Sequence, residues 1–353
     1  MTTTRPTEEA GTPLPAPPPV APRTERRWML WAVATVVVTV AAAVTVVLTT
    51  GGAARTAAPA GERVFAGHAA TVRTVAWAPD GIELASGSSD GTVRIWDSST
   101  GQVVRALVGH AGEVRDVAWS PDGHQVASAS TDGTVRVWSL ATGGTVQTLT
   151  GSAGAVDSVS WDRDGDRVAA VGADGTIRVW DPKSGRLVQS LAGSPLSTDT
   201  VAWSPKGDRL AFNVAGTVKV WDIDDNGGMQ FLDTPAGGPD MLDSIAWSPD
   251  GSRIAGAGGG GVWMWYVTSG EVERAFAGSG AVLSSVSWPH DGTRIASGGS
   301  DGTIRIWQAA TGKVIQTLVG HEGGVASVAW APDGARIASG GSDRTVRVWN
   351  VGL

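Results

Sequence analysis

The stretch GHAGEVRDVAWSPDGHQVASASTDGTVRVW, from Gly109 to Trp138, sets the pattern for most of the chain. The tryptophan that ends its first half recurs at Trp77, Trp119, Trp161, Trp203, Trp247, Trp288 and Trp330, and the one that ends its second half recurs at Trp96, Trp138, Trp180, Trp221, Trp265, Trp307 and Trp349. Successive members of each series lie 41 to 44 residues apart, so the chain holds seven repeats. Chance does not produce this pattern, because the two series use 14 of the 17 tryptophans.

Each repeat predicts four strands. In the first repeat these lie at Val72 to Trp77, Leu84 to Gly87, Thr92 to Trp96 and Val103 to Leu107. The separators PDG, SDG and TG supply glycine, which can take the positive φ of a hairpin turn. A period in the low forties with GH near its start and WD near its end is the signature of a four-stranded propeller blade.

The chain therefore resembles the WD40 repeat family over residues 61–353, in the manner of a bacterial membrane-anchored WD40 repeat protein. This resemblance implies an all-β fold, a seven-bladed WD40-type β-propeller. The last repeat ends without a fourth strand, because the sequence stops four residues after Trp349. Residues 61–68, GERVFAGH, align with the end of a fourth strand, so we expect them to pair with the last blade and close the ring.

An apolar segment precedes the repeats. Residues 28–48 carry no charge, and a helix of that length spans about 30 Å at ~1.5 Å per residue, which is the thickness of the hydrocarbon core. Arg23, Arg26 and Arg27 precede it, so the sequence predicts a single-pass transmembrane helix at the cell membrane with a cytoplasmic N-terminus and an extracytoplasmic propeller. A cleaved signal peptide is the alternative, because small residues follow at 51–53 and 58–60.

The segments on either side of that helix are low in complexity. Residues 1–27 are rich in Pro and Thr and predict a disordered tail, and residues 49–60 predict a short Gly/Ala linker. The chain has no cysteine, which excludes disulfides and thiol chemistry. Residues 56–353 hold 22 basic and 31 acidic side chains, and this acidic balance disfavours nucleic acid as a partner.

The resemblance also implies a buried network of His, Ser, Asp and Trp in some blades. Three repeats match all four positions: His68, Ser86, Asp90 and Trp96; His110, Ser128, Asp132 and Trp138; His321, Ser339, Asp343 and Trp349. We interpret the network as structural rather than catalytic, because an enzyme does not need three copies of a Ser-His-Asp set. Blades 4 and 5 lack it, which indicates either drift or a specialised use of those blades.

One stretch fits the spacing of a calcium-binding loop. Oxygen-bearing side chains stand at Asp222, Asp224, Asn226 and Asp233, but the last place of such a loop normally holds Glu. The alternative is a polar hairpin, which we favour. We therefore expect no metal and no cofactor.

Members of the family tend to bind partners around one mouth of the central channel. By alignment, the position four before each first-strand tryptophan lies there: Arg73, Arg115, Asp157, Asp199, Asp243, Ser284 and Ala326. The ring is basic in blades 1 and 2 and acidic in blades 3 to 5, a division that would orient a partner. A solvated rim without a partner is the alternative.

These observations predict a membrane-anchored, non-catalytic protein–protein interaction scaffold with unknown protein partners at that face. Similar propellers form the extracytoplasmic half of bacterial membrane Ser/Thr kinases, but a tail of 27 residues is too short for a kinase. An envelope sensor or carrier that binds a small ligand or glycan in the channel is the alternative. An enzyme is disfavoured, because the sequence offers no single set of acid, base and nucleophile.

Overall fold

The computed structural model describes residues 61–192, 200–214, 216–224, 228–232, 241–277 and 280–352. The predicted tail (1–27), membrane helix (28–48) and linker (49–60) lie outside these ranges, so their boundaries stay predictions. Within the described ranges, no helix is long and apolar enough to cross a membrane.

The described residues form 28 strands in seven antiparallel sheets of four strands each. Blade 1 contains β2 (Val72–Trp77), β3 (Glu83–Ser88), β4 (Thr92–Asp97) and β5 (Val103–Val108); blade 2 contains β6 (Val114–Trp119), β7 (Gln125–Ser130), β8 (Val135–Ser139) and β9 (Thr145–Leu149); blade 3 contains β10 (Val156–Trp161), β11 (Val168–Gly172), β12 (Ile177–Trp180) and β13 (Leu187–Leu191). Blade 4 contains β14 (Val201–Trp203), β15 (Arg209–Val214), β16 (Thr217–Asp222) and β17 (Met229–Leu232); blade 5 contains β18 (Ser244–Trp247), β19 (Arg253–Gly258), β20 (Gly261–Tyr266) and β21 (Val272–Ala277). Blade 6 contains β22 (Leu283–Ser287), β23 (Arg294–Gly299), β24 (Thr303–Gln308) and β25 (Val314–Val319); blade 7 contains β26 (Val325–Trp330), β27 (Arg336–Gly341), β28 (Thr345–Asn350) and β1 (Glu62–Ala66). The predicted seven-bladed all-β propeller is confirmed.

The core lies between the blades. In β4, Val93 and Ile95 are buried against Val114 and Val117 of blade 2. Trp96 of the same strand belongs to a cluster with residues of blade 7. A sheet packed between two neighbours needs apolar side chains on both faces, which is why the third strands do not alternate between apolar and polar residues.

The first strands surround the central channel, because the first strand of each blade contacts the first strands of both neighbours. First-strand tryptophans tie neighbouring blades together through their indole N–H groups. Trp77 donates to the carbonyl of Ala329 at 3.1 Å, and Trp119 donates to that of Ala76 at 3.0 Å.

Strand β1 closes the ring as expected. It pairs antiparallel with β28 from Glu62↔Trp349 to Ala66↔Thr345. Phe65 is only 3% exposed, and its ring centroid lies 5.8 Å from that of Trp96 in blade 1. The last blade is therefore built from segments at opposite ends of the described chain.

The antiparallel strands give the propeller two distinct ends. The first strands begin at the end that also carries the turns between second and third strands, such as 89–91, and we call it the mouth end. The turns between first and second strands lie at the opposite end, the base end. In one of these turns Gly81 has a φ of 71°, which explains the glycine of the PDG motif.

Candidate functional site

Blade 1 holds a chain of four polar side chains at the mouth end. The indole Nε1 of Trp96 donates to Ser86 Oγ at 2.8 Å. Ser86 Oγ lies 2.7 Å from His68 Nε2, and His68 Nδ1 lies 2.9 Å from Asp90 Oδ2. The structure repeats these contacts among the four predicted residues of blade 2 and the four of blade 7: His110, Ser128, Asp132 and Trp138; His321, Ser339, Asp343 and Trp349.

The geometry assigns a neutral imidazole to His68. Because Ser86 already accepts from Trp96, its hydroxyl hydrogen is free to go to His68 Nε2, and Nδ1–H then donates to Asp90. Burial lowers the pKa of His68, although Asp90 opposes this shift. Burial by itself would raise the pKa of Asp90, but hydrogen bonds from Thr92, from the Ala69 amide and from His68 lower that pKa to about 2.

This arrangement is unsuited to nucleophilic catalysis. Ser86 is completely buried, so a substrate cannot reach its hydroxyl. That oxygen also accepts the Trp96 hydrogen bond, which withdraws electron density from the atom that would have to attack. Each polar group of the chain finds a partner within it, as a buried network requires.

In blades 3 and 6 an arginine of the third strand binds the aspartate in place of the histidine, which sequence reasoning missed. Arg178 donates to both carboxylate oxygens of Asp174 at 3.1 and 2.7 Å. Arg305 Nη2 donates to Asp301 at 2.7 Å. The signal was present in the sequence, since both repeats keep the aspartate but carry serine, Ser152 and Ser279, at the histidine position.

Blade 4 fills the serine position with an apolar side chain. Phe212 is 1% exposed there, so its ring occupies the space of the polar chain. The next residue, Asn213, donates to the Leu242 carbonyl and accepts from the Thr200 amide. Blade 4 thus gains a polar tie to blade 5 although it lacks the four-residue network.

Of the seven residues predicted at the mouth, the structure describes six: Arg73, Arg115, Asp157, Asp243, Ser284 and Ala326. Asp199 lies outside the described residues. The side chains of Arg73 and Arg115 are each 40% exposed. Glu113 lies between them, 3.3 Å from Arg73 Nη2 and 3.6 Å from Arg115 Nε, so the basic sector contains an acid that sequence reasoning missed.

The acidic sector begins beside Arg115. Asp157 is half-buried, and burial raises the pKa of its carboxyl although Arg115 opposes the shift. Asp243 is exposed at the mouth end. The division into basic and acidic sectors is therefore present in the described part of the mouth, with Glu113 reducing the basic side.

Below the mouth, Asp116 joins three blades. It accepts hydrogen bonds from Thr74 of blade 1 at 3.0 Å, and from the hydroxyl of Ser158 and the amide of Val159 in blade 3 at 2.9 and 3.0 Å. Similar ties recur around the channel, such as the Val75 amide donating to Ser327 Oγ at 3.2 Å. Polar groups of the channel wall therefore form hydrogen bonds that hold neighbouring blades together.

The calcium loop stays a prediction, because Asn226 and Asp233 lie outside the described residues. Of the other two residues, Asp224 receives a hydrogen bond from Arg167 Nη1 at 3.1 Å. In the part of the chain that the structure describes, no group of three or more acidic or histidine side chains is placed to hold a metal ion.

Comparison with protein families agrees with this architecture. The family described as "IFT122 first beta-propeller" matches residues 60–234. The family described as "WD domain, G-beta repeat" matches residues 270–308 and 312–350. The chain belongs to the WD40 repeat family. Propellers of this family act as protein-interaction scaffolds, and nothing in these matches points to an enzymatic activity.

Curated proteins similar to this WD40 chain include the ribosome biogenesis protein ERB1 of Debaryomyces hansenii, 51% identical over 41 residues, or 12% of this chain and 5% of that protein. ERB1 of Saccharomyces cerevisiae gives the same identity and coverage. The Aspergillus fumigatus protein erb1 is 56% identical over 39 residues, 11% of this chain and 5% of its own length. The WD40 chain therefore matches only about one repeat length of these relatives.

These comparisons correct the predicted localisation. A cell-membrane protein with its propeller outside the cytoplasm was the wrong expectation, because the relatives are named for ribosome biogenesis. The described residues also contain no helix that could span a membrane. The physical reason for the error is that the prediction rested on the hydropathy and flanking arginines of residues 23–48, whereas the repeats themselves carry no signal of compartment.

Proposed function

We propose that this WD40 protein is a non-catalytic scaffold that binds a protein partner across the mouth end of its propeller. The observation that carries the proposal is the divided charge of the mouth, with Arg73 and Arg115 exposed on one side and Asp157 and Asp243 on the other. A partner with the complementary division would dock in one orientation.

A rigid frame supports this proposal. Seven blades packed on both faces hold the mouth residues at fixed separations, so the partner need not order the surface on binding. Glu113 contacts both arginines through ion pairs that are exposed to solvent and therefore weak, so a partner carboxylate could displace it.

The channel alternative, a small ligand or glycan, has less support. Two polar side chains of the first strands, Asp116 and Ser158, already bond to neighbouring blades and are therefore less available to such a ligand. The ribosome biogenesis proteins share one repeat length with this chain, so this likeness supports a common repeat rather than a common partner. The acidic balance of residues 56–353 still disfavours direct binding of nucleic acid.

The test is cross-linking of a tagged full-length chain in its own cells, followed by quantitative mass spectrometry. We expect one protein adduct in the wild type. Its yield should fall about tenfold in the double variant Arg73→Glu/Arg115→Glu, because two attractive charges become repulsive. Arg105→Glu/Arg186→Glu is the matched control, since both arginines are exposed, one on the outer strand β5 and the other directly before the outer strand β13.

Two results would count against the proposal. One is an adduct that survives in the double variant as well as in the control. The other is equal loss in the control, which would show that the adduct depends on overall charge rather than on the mouth.

A further inference from the structure

One residue at the mouth end keeps a backbone conformation that side chains disfavour. Arg344 has a φ of 67°, and within the described ranges it is the one residue other than glycine with a positive φ. The equivalent residue in each of the other six blades is a glycine with φ between 70° and 89°: Gly91, Gly133, Gly175, Gly216, Gly260 and Gly302. Arg344 therefore destabilises its own turn, because in this conformation the Cβ atom crowds the backbone.

The space beside this turn position is also narrow. A Cβ atom at Gly91 would lie 3.2 Å from the carbonyl oxygen of Gly112, and one at Gly133 would lie 3.1 Å from that of Gly154. Both carbonyls belong to the loop that leads into the first strand of the next blade. By equivalence, the turn of Arg344 lies against the loop 67–71 of blade 1. Glycine would thus suit this position better than arginine.

The Arg344 side chain finds no compensating contact inside the described part of the chain. It is exposed, and its guanidinium has no hydrogen bond or ion pair there. The neighbouring Asp343 already accepts from Arg347 Nη2 at 3.3 Å and belongs to the blade 7 network. The exposed Glu322 stands in the loop that packs against the Gly302 turn of blade 6, on the far side of blade 7.

Blades 7, 1 and 2 consequently present a row of exposed arginines at the mouth end. The turn of Arg344 faces the loop of blade 1, where residues 69–71 are uncharged, and Arg73 follows two residues after that loop segment. Arg115 comes next in blade 2, and Glu113 lies between these last two arginines. We call Arg344, Arg73 and Arg115 the basic arc.

We propose that the basic arc binds an acidic segment of the partner protein and that Arg344 is one of its specificity-determining residues. The inference rests on the function proposed above, since it names the chemistry of the segment that reaches the mouth. Carboxylates match separated guanidinium groups, and a contact outside the chain explains why a strained, exposed arginine is kept. Nucleic acid fits less well, because residues 56–353 carry 22 basic and 31 acidic side chains and would repel a long polyanion.

A peptide probe tests the basic arc on the full-length chain. The probe is a fluorescently labelled Glu-Gly-Glu-Gly-Glu peptide, its control carries Gln in place of Glu, and anisotropy at low ionic strength follows binding. The Glu peptide should bind about tenfold more tightly than the Gln peptide. Arg344→Gln should weaken its binding about fourfold, whereas Arg344→Lys should preserve it, because the lost interaction is one exposed charge contact. Arg105→Gln is the matched control, since Arg105 is exposed on the outer strand β5.

The variant Arg344→Gly separates the charge from the backbone strain. It removes both, so affinity for the Glu peptide should fall about fourfold while the unfolding temperature rises by about 2 °C. Arg344→Gln keeps the Cβ atom, so its unfolding temperature should equal that of the wild type. A lower unfolding temperature in Arg344→Gly would show that the arginine serves stability, and would overturn the proposal.

The binding results also distinguish this inference from the proposed function. Equal binding of the two peptides overturns the basic arc, as does an oligothymidylate that binds more tightly than the Glu peptide and depends on Arg344. Loss of peptide binding in Arg73→Gln/Arg115→Gln without any loss in Arg344→Gln removes Arg344 from the site but leaves the proposed function standing. Unchanged affinity in both variants contradicts the proposed function as well.

Discussion

The Ser86 hydroxyl shows how one residue can hold a blade together. It is completely buried and serves two neighbours, accepting from Trp96 and lying 2.7 Å from His68 Nε2. Its removal would leave Trp96 Nε1 and His68 Nε2 without this partner in the core. A buried group that loses its partner costs more than the hydrogen bond contributed when made.

We therefore expect Ser86→Ala to lower the free energy of unfolding by about 2 kcal/mol. Urea denaturation of the purified chain measures this. The control is Ser99→Ala, whose hydroxyl bonds to Asp97 in an exposed turn and whose loss should change stability by less than about 0.5 kcal/mol. Equal effects of the two substitutions would contradict a role for the network in stability.

Some of these residue contacts could be predicted from the sequence and others could not. His68 and Asp90 keep a fixed offset within the repeat, so alignment alone places them together. The contacts of Arg178 with Asp174 and of Arg253 with Glu273 depend on which way a long side chain turns. That choice is made by neighbours on other strands, which the repeat pattern does not encode.

Among the elements, strand β1 closes the ring. Its five residues pair with β28, and Phe65 inserts between that strand and blade 1. Its neighbour Val64 is 47% exposed on the outer face. Loss of β1 would leave β28 as an open edge and the first strands without closure.

Phe65→Ala should destabilise the propeller by about 3–5 kcal/mol, because it opens a cavity at the closure. Val64→Ala removes less from the same strand and should stay within about 0.5 kcal/mol of the wild type. Deletion of residues 61–66 should have the largest effect. Thermal unfolding compares all three, and a deletion variant as stable as the wild type would refute closure by β1.

The strands were the part of the structure that was easiest to predict. Glycine-containing turns and tryptophan spacing fix where each strand begins and ends, so the four strands expected in the first repeat differ from the observed ones by at most one residue at either end. The roles of blades 4 and 5 could not be read in this way, because their departures, such as Phe212 and Glu273, matter through contacts with other strands.

For the whole molecule, buried histidines make stability depend on pH. Burial lowers the pKa of His68 and His110 below 6.5, so in the window beneath 6.5 the unfolded chain binds more protons than the folded one. Stability should therefore fall as the pH drops from about 7.5 to about 5.5. Asp116 and Asp157 act in the opposite direction, because burial raises the pKa of each.

A comparison of variants isolates the histidine contribution. Urea midpoints measured across this range should fall less steeply in His68→Gln/His110→Gln than in the wild type, since the acidic residues are common to both. His124→Gln is the control, because His124 lies in an exposed turn at the base end. An identical pH slope in the wild type and the double variant would show that the two imidazoles do not titrate on unfolding.

The pairing of β1 with β28 also delays completion of the fold during biosynthesis, because β28 is synthesised long after β1. A ribosome that adds roughly 5–20 residues per second needs on the order of 15–60 seconds to travel from the first of these strands to the last. Throughout that interval the nascent chain carries β1 without its partner strand β28. Chaperones and proteases can thus act on the unpaired strand during this time. A chain truncated before β28 would leave β1 unpaired permanently.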